Sequence, residues 1–211
     1  MAVKVLYLYY DIMNLYGENG NIRMIERVLK NKGAEVFVDR KTVTDACIDF
    51  TQYDFIYCGA GTELSRDVCL KHLKQFGDSL KAAFENDTVM LFTGNSYEML
   101  GSKLHTASGE DVEGIGIFDF TSEEQKKNRF SGDVKLTSEL SPKTFIGYIN
   151  KCSRVEGIKN PLFKVEVMAG NLQCTEDGIR ERNFFGTQVI GPIMVKNPDF
   201  AEYVAKLIIK A

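Results

Sequence analysis

Residues 90–101 read MLFTGNSYEMLG: an apolar run, an abrupt cluster of small and polar residues, and an apolar-spaced segment that closes on glycine. The pattern predicts a strand over Thr88 to Phe92, a sharp turn, and a helix from about Ser96, the arrangement that in many α/β folds lifts a nucleophile into a pocket. Upstream, Val3 to Tyr9 is a near-continuous apolar run suited to a central parallel strand. Ile22, Ile25, Val28 and Leu29 share one helical face, and Gly33 is placed to end that helix. Ala34 to Val38 and Tyr53 to Cys58 read as further strands, the latter running into the turn Gly59-Ala60-Gly61 and a helical stretch to about Phe84. Strand and helix in this rhythm imply right-handed crossovers and an α/β fold, a mostly parallel central sheet with helices on both faces.

From Gly114 onward the chain changes character. GIGIFDF, GDVKL, TFIGYIN, PLFKVEVMAG and FFGTQVIG are short, β-rich and separated by turns, which predicts an antiparallel β-rich extension of the sheet in the second half. A helix closes the chain, with Asn197 as its expected N-cap, Pro198 at its first position, and Phe200, Val204, Leu207 and Ile208 as its apolar stripe. There is no repeat, low-complexity tract or linker, so residues 1–211 read as a single domain.

Composition narrows the function. The 211 residues are 44% hydrophobic and 26% charged with a net charge of -3, enough for a sizeable core and without the basic footprint of a nucleic-acid binder. The apolar start is too short for a signal peptide or membrane span and stops at Asp11, so no membrane span is expected. Five cysteines, with no CxxC pair, indicate reduced thiols in a cytoplasmic protein, without zinc or disulfides; no metal or cofactor is implied. Two histidines, His72 and His105, both read as surface residues.

Ligands of open α/β sheets bind beyond the carboxyl ends of the strands, so the loops Asp11 to Gly20, Gly59 to Arg66 and Thr93 to Tyr97 should converge on one crevice. Gly59, Ala60 and Gly61 either present backbone N–H groups to an anion or merely turn the chain. Asn95, Ser96, Tyr97 and Glu98 follow the elbow, with Ser96 read as a capping residue. Asn14, Tyr16, Glu18 and Asn19 line a ligand or partner surface or belong to a solvated turn. Arg129 carries the same alternatives, a ligand contact or a structural ion pair.

Several of these stretches together resemble a known family. NLYGENGNI (14–22), the glycine turn after the third strand, SYEMLG (96–101), GEDVEGIGIFDF (109–120), KNRFSGDV (127–134) and FFGTQVIGPIMVKNP (184–198) occur in order over nearly the whole chain. They are similar to the class I glutamine amidotransferase domain, a flavodoxin-like fold, in the cobyric-acid-synthase-like branch that includes the glutaminase subunit of lipid II isoglutaminyl synthase. The family elbow reads approximately GICGGYQMLG, which puts Gly94 where the cysteine nucleophile belongs and Glu98 where a glutamine is usual. GTxLHGP falls on Gly186 to Pro192, putting Ile190 at the general base, and a second family histidine falls on Lys151.

The resemblance therefore implies a fold without its chemistry. Neither glycine nor isoleucine has a nucleophilic or titratable atom, so the expectation is a catalytically inactive domain acting as a binding or partner subunit. Implied partners are a Mur-ligase-like synthetase in cell-wall or cobalamin-type amidation, or a homo-oligomer. The alternative is another amidohydrolase-type reaction on a polar small molecule, with Ser96, Glu98 or Lys151 as the chemical group.

Overall fold

The computed structural model describes residues 1–171 and 174–210. Its central sheet contains β1 (Ala2–Leu8), β2 (Glu35–Lys41), β3 (Phe55–Cys58), β4 (Val89–Thr93) and, from late in the chain, β13 (Ile179–Glu181) and β14 (Phe184–Thr187). The order is β13-β14-β4-β3-β1-β2. All neighbours are parallel except β13 on β14. Every residue of β3, β4 and β14 is buried, as strands covered on both faces require.

Alternation along β1 assigns its side chains to two cores. Val5 and Tyr7 point to one face, with α1 (Asn19–Asn31), α4 (Ile193–Lys196) and α5 (Pro198–Lys210); Leu6 and Leu8 point to the other, with α2 (Glu63–Leu73) and α3 (Gly77–Glu85). Helix α5 buries Phe200, Val204 and Ile208 completely, each a contribution of about 1.5–3 kcal/mol. Gly33 ends α1 in the left-handed region that glycine adopts freely, at φ +83°.

The second half builds two further sheets. One is four-stranded, in the order β10-β7-β5-β6, from β5 (Lys103–His105), β6 (Asp111–Glu113), β7 (Thr121–Glu124) and β10 (Ser153–Glu156). The other is five-stranded, in the order β12-β11-β8-β9-β15, from β8 (Phe130–Ser138), β9 (Ser141–Lys151), β11 (Phe163–Met168), β12 (Glu176–Asp177) and β15 (Val189–Ile190). The five-stranded sheet is antiparallel throughout. The β-rich half thus packs against the central sheet as separate layers and contributes only β13 and β14 to its edge.

Four local expectations change. The helical stretch to Phe84 is broken into α2 and α3 by a 3-10 turn over Lys74–Phe76. Gly114 to Phe120 is not a strand: Ile115, Gly116, Ile117 and Phe118 give their N–H groups to the carbonyls of Met99, Gly101 and Leu100, ending the elbow helix. Asn197 does not cap α5 with its side chain, which instead bonds both backbone groups of Ile146 on β9. His72 is buried, its ring between Tyr9 Oη (2.9 Å) and the Asp45 carbonyl (3.0 Å). Its tertiary partners lie far away in the chain, so helix position alone could not reveal them.

Candidate functional site

The elbow forms because β4 is extended up to Thr93 and the backbone reverses at Gly94, φ +61°, into a seven-residue 3-10 helix, Gly94–Leu100. An L side chain is disfavoured there by backbone conformation, and also by space. A Cβ on Gly94 would lie 2.5 Å from Ala60 Cβ and 2.9 Å from Ile190 Cγ2. Ile190 packs directly over the elbow, and the space a side chain at Gly94 would enter is taken by hydrocarbon.

The three loops meet here. Asn95 pairs with Gly61 in both directions, Oδ1 accepting from its N–H (3.1 Å) and Nδ2 donating to its carbonyl (2.9 Å). That N–H is therefore already engaged. Gly59 is required by close approach: a Cβ would run into the Met13 carbonyl and the Glu18 side chain. Ala60 accepts from Leu15 N–H at 2.9 Å. Asn14 Oδ1 accepts from Asn19 N–H (2.9 Å), shaping the turn before α1.

Ser96 is fully buried and donates to the carbonyls of Thr93 (2.8 Å) and Cys58 (3.0 Å). It is a donor tied to backbone, not the cap expected of it, because the tight 3-10 path turns its hydroxyl back toward β3 and β4. Glu98 is also fully buried. It accepts from Gln188 Nε2 (2.7 Å), Ser122 Oγ (2.8 Å), Ser153 Oγ and Arg66 Nη1 (3.3 Å). Burial opposes the charge on Arg66, but Glu98, Asp67 and Glu124 more than offset it and raise its pKa. This cluster joins the elbow to α2, β7, β10 and the turn before β15. Sequence reasoning found Glu98 but missed Arg66, Ser122, Ser153 and Gln188, whose elements meet only in three dimensions.

Over the crevice mouth lies a polar strap. Asn150 Nδ2 donates to Tyr16 Oη (3.0 Å), Arg129 Nε donates to Asn150 Oδ1, and Arg129 Nη1 donates to Glu63 Oε1 (2.9 Å). Cys152 Sγ donates to the same Glu63 oxygen (3.2 Å), and burial together with that carboxylate pushes its thiol up to about 12, far from a reactive thiolate. The crevice beneath holds about 10 Å³, room for no more than one water. Lys151 stands at its rim.

A second buried carboxylate escaped notice as a structural hub. Glu18 accepts from Tyr57 Oη (2.6 Å), Thr93 Oγ1 (2.7 Å) and Gly191 N–H (2.7 Å), and burial raises its pKa despite these bonds. It links the loop before α1 to the ends of β3 and β4 and the turn after β15. Its position in an Asn- and Gly-rich turn left a ligand or partner surface and a solvated turn equally open; the burial arises from Gly59 letting the loop close down. Among the described residues no group of three or more His, Cys, Asp or Glu could hold a metal ion, and no helix is long and apolar enough to cross a membrane.

Residues 4–198 match the CobB/CobQ-like glutamine amidotransferase domain. The chain is 31% identical over 202 residues to the lipid II isoglutaminyl synthase (glutamine-hydrolyzing) subunit GatD of Streptococcus pneumoniae, covering 94% of this chain and 77% of that protein. It is 31% identical over 195 residues to the Staphylococcus aureus GatD subunit, covering 92% and 79%. Among solved structures a glutamine amidotransferase aligns with TM-score 0.60 over 97% of this chain and 98% of that one, at 13% identity. PurLQS from Thermotoga maritima aligns with TM-score 0.58 over 100% and 99%, at 14% identity. Those structural likenesses establish the fold.

Proposed function

The chain belongs to the CobB/CobQ-like glutamine amidotransferase family, and from that premise we propose that it is a member without glutaminase chemistry, serving as a partner subunit of an amide-forming synthetase. One observation carries the reading: Gly94 occupies the elbow and Ile190 packs against it. Hydrolysis of a carboxamide by this fold needs a thiolate to attack and an imidazole to move the proton, and neither residue supplies such an atom. Loss of a nucleophile acting as a unit with its base costs roughly a million-fold in rate, about 8 kcal/mol of barrier. A crevice of about 10 Å³ cannot admit glutamine.

The competing reading, other chemistry in the same crevice, loses two of its three groups. Ser96 Oγ is held by two carbonyls and Glu98 is held by four donors, so both serve as scaffold. By analogy with the relatives named as subunits of lipid II isoglutaminyl synthase, the partner we infer is a cytoplasmic Mur-ligase-like synthetase of cell-wall amidation, using free ammonia.

Purified protein is expected to release no ammonia from glutamine and to form no adduct with a glutamine-mimicking electrophile. Affinity capture from the native cell should retain an ATP-dependent synthetase whose amidation responds to added ammonium and not to glutamine. Glutamine turnover that disappears on substitution of a crevice residue would overturn the reading.

A further inference from the structure

Beside the closed crevice lies a second, half-open cavity of about 410 Å³, within the range of small-molecule sites. Lys151 borders both cavities. It makes no hydrogen bond or ion pair with any side chain among the described residues, although it is only partly exposed. The same cavity is lined by Asp177, 4% exposed, whose carboxylate accepts from the Thr187 hydroxyl and the Gln188 N–H. A carboxylate offers about four acceptor positions, so these two donors do not exhaust it. Burial raises the Asp177 pKa and the Lys151 ammonium counteracts this, which puts the two charges within mutual influence without a direct bond.

The remaining lining repeats the division. Glu176 flanks Asp177 and Glu156 adds a third carboxylate to the lining, while Arg154 holds its guanidinium over the Phe130 ring, 5.4 Å from the centroid. Phe130 and Tyr97 supply an aromatic wall. A simple anion entering here would meet a buried carboxylate, and a simple cation would meet Lys151 and Arg154. A molecule carrying both charges a few bonds apart satisfies each side.

We propose that this cavity binds a compact zwitterion of the amino-acid class, its ammonium on Asp177 and its carboxylate on Lys151 and Arg154, with its side chain along Phe130 and Tyr97. The proposal uses neither Gly94 nor a synthetase partner, so it stands or falls separately from the loss of glutaminase chemistry. The site gives the domain a ligand-binding role that the filled crevice no longer has.

The test is titration calorimetry of the full chain with the free L-amino acids, each compared with its N-acetyl and methyl-ester derivatives. At least one free amino acid is expected to bind at millimolar concentration or below, and blocking either its ammonium or its carboxylate should weaken binding about tenfold or more. Lys151→Gln and Arg154→Gln should weaken it as well, whereas Lys135→Gln, on the exposed face of β8, should not. Should Asp177→Asn fail to fold, the Lys151 and Arg154 variants carry the test, since neither side chain holds the scaffold. Absence of binding by every free amino acid, binding of either blocked derivative as tight as that of the free amino acid, or an unchanged affinity in Lys151→Gln would each overturn the proposal.

Discussion

At the elbow, the cost of a side chain can be compared with what its absence permits. A non-glycine residue at φ +61° costs about 1–2 kcal/mol, and forcing a Cβ against Ala60 and Ile190 adds about 1–3 kcal/mol. Gly94→Cys is therefore expected to lower Tm by roughly 5–10 °C and to gain no glutaminase activity. Adding Ala60→Gly and Ile190→His should return part of that stability, because those are the atoms the new Cβ meets; thermal unfolding by circular dichroism checks both. An unchanged Tm in Gly94→Cys would show that the crevice opens more easily than its packing implies. Motif spacing singled out Gly94 and Ile190, since both follow from fixed offsets within short segments, and the structure brings the two into contact. It could not show that Ala60 completes the plug, or that the Ser96 hydroxyl turns inward, because both depend on contacts between separate loops.

Among the elements, the Glu98 cluster ties the elbow helix to α2 and the four-stranded sheet. Glu98 is fully buried; without it Arg66 still faces Asp67 and Glu124, but the buried donors of Ser122, Ser153 and Gln188 lose their acceptor. Glu98→Ala is expected to cost about 1–3 kcal/mol for each buried donor left without a partner. Glu98→Gln, which keeps one acceptor oxygen for one of Ser122 and Ser153 and offers an N–H to which the other hydroxyl can turn and accept, should cost less. Urea midpoints measure the difference, and a Glu98→Ala loss no larger than that of Glu98→Gln would mean that these hydrogen bonds do not hold the layers together. At this scale the sequence was a partial guide. Apolar runs located β1 to β4 and the 3.6-residue period located α1, but β14, read with the antiparallel segments, pairs parallel with β4, and GIGIFDF alternates like a strand and instead spends its N–H groups on the carbonyls of the elbow helix. A hydrophobicity pattern reports which side is buried, not which backbone groups are available for pairing.

For the whole molecule, two buried carboxyls shape the response to pH. Glu18 and Asp177 both have pKa values raised by burial, so the folded state binds protons more tightly than the unfolded chain. Their burial costs nothing below the ordinary carboxyl range, appears as pH rises through the unfolded value, and is complete above the folded value. Glu18→Gln keeps the Gly191 bond and lets the Tyr57 and Thr93 hydroxyls rotate to accept, so its Tm should gain on that of the native protein between about pH 5 and 8. A Tm difference that stays constant across that interval would contradict this assignment. Sequence alone determined the family, the parallel α/β core and the turn at Gly94 after β4, because each is written in local periodicity or in motif spacing. Tertiary structure alone decided that the crevice is filled, that Glu18, Glu98 and Asp177 are buried, and that a charged cavity opens beside them. Volume and desolvation belong to surfaces brought together from distant segments, and no single segment carries them.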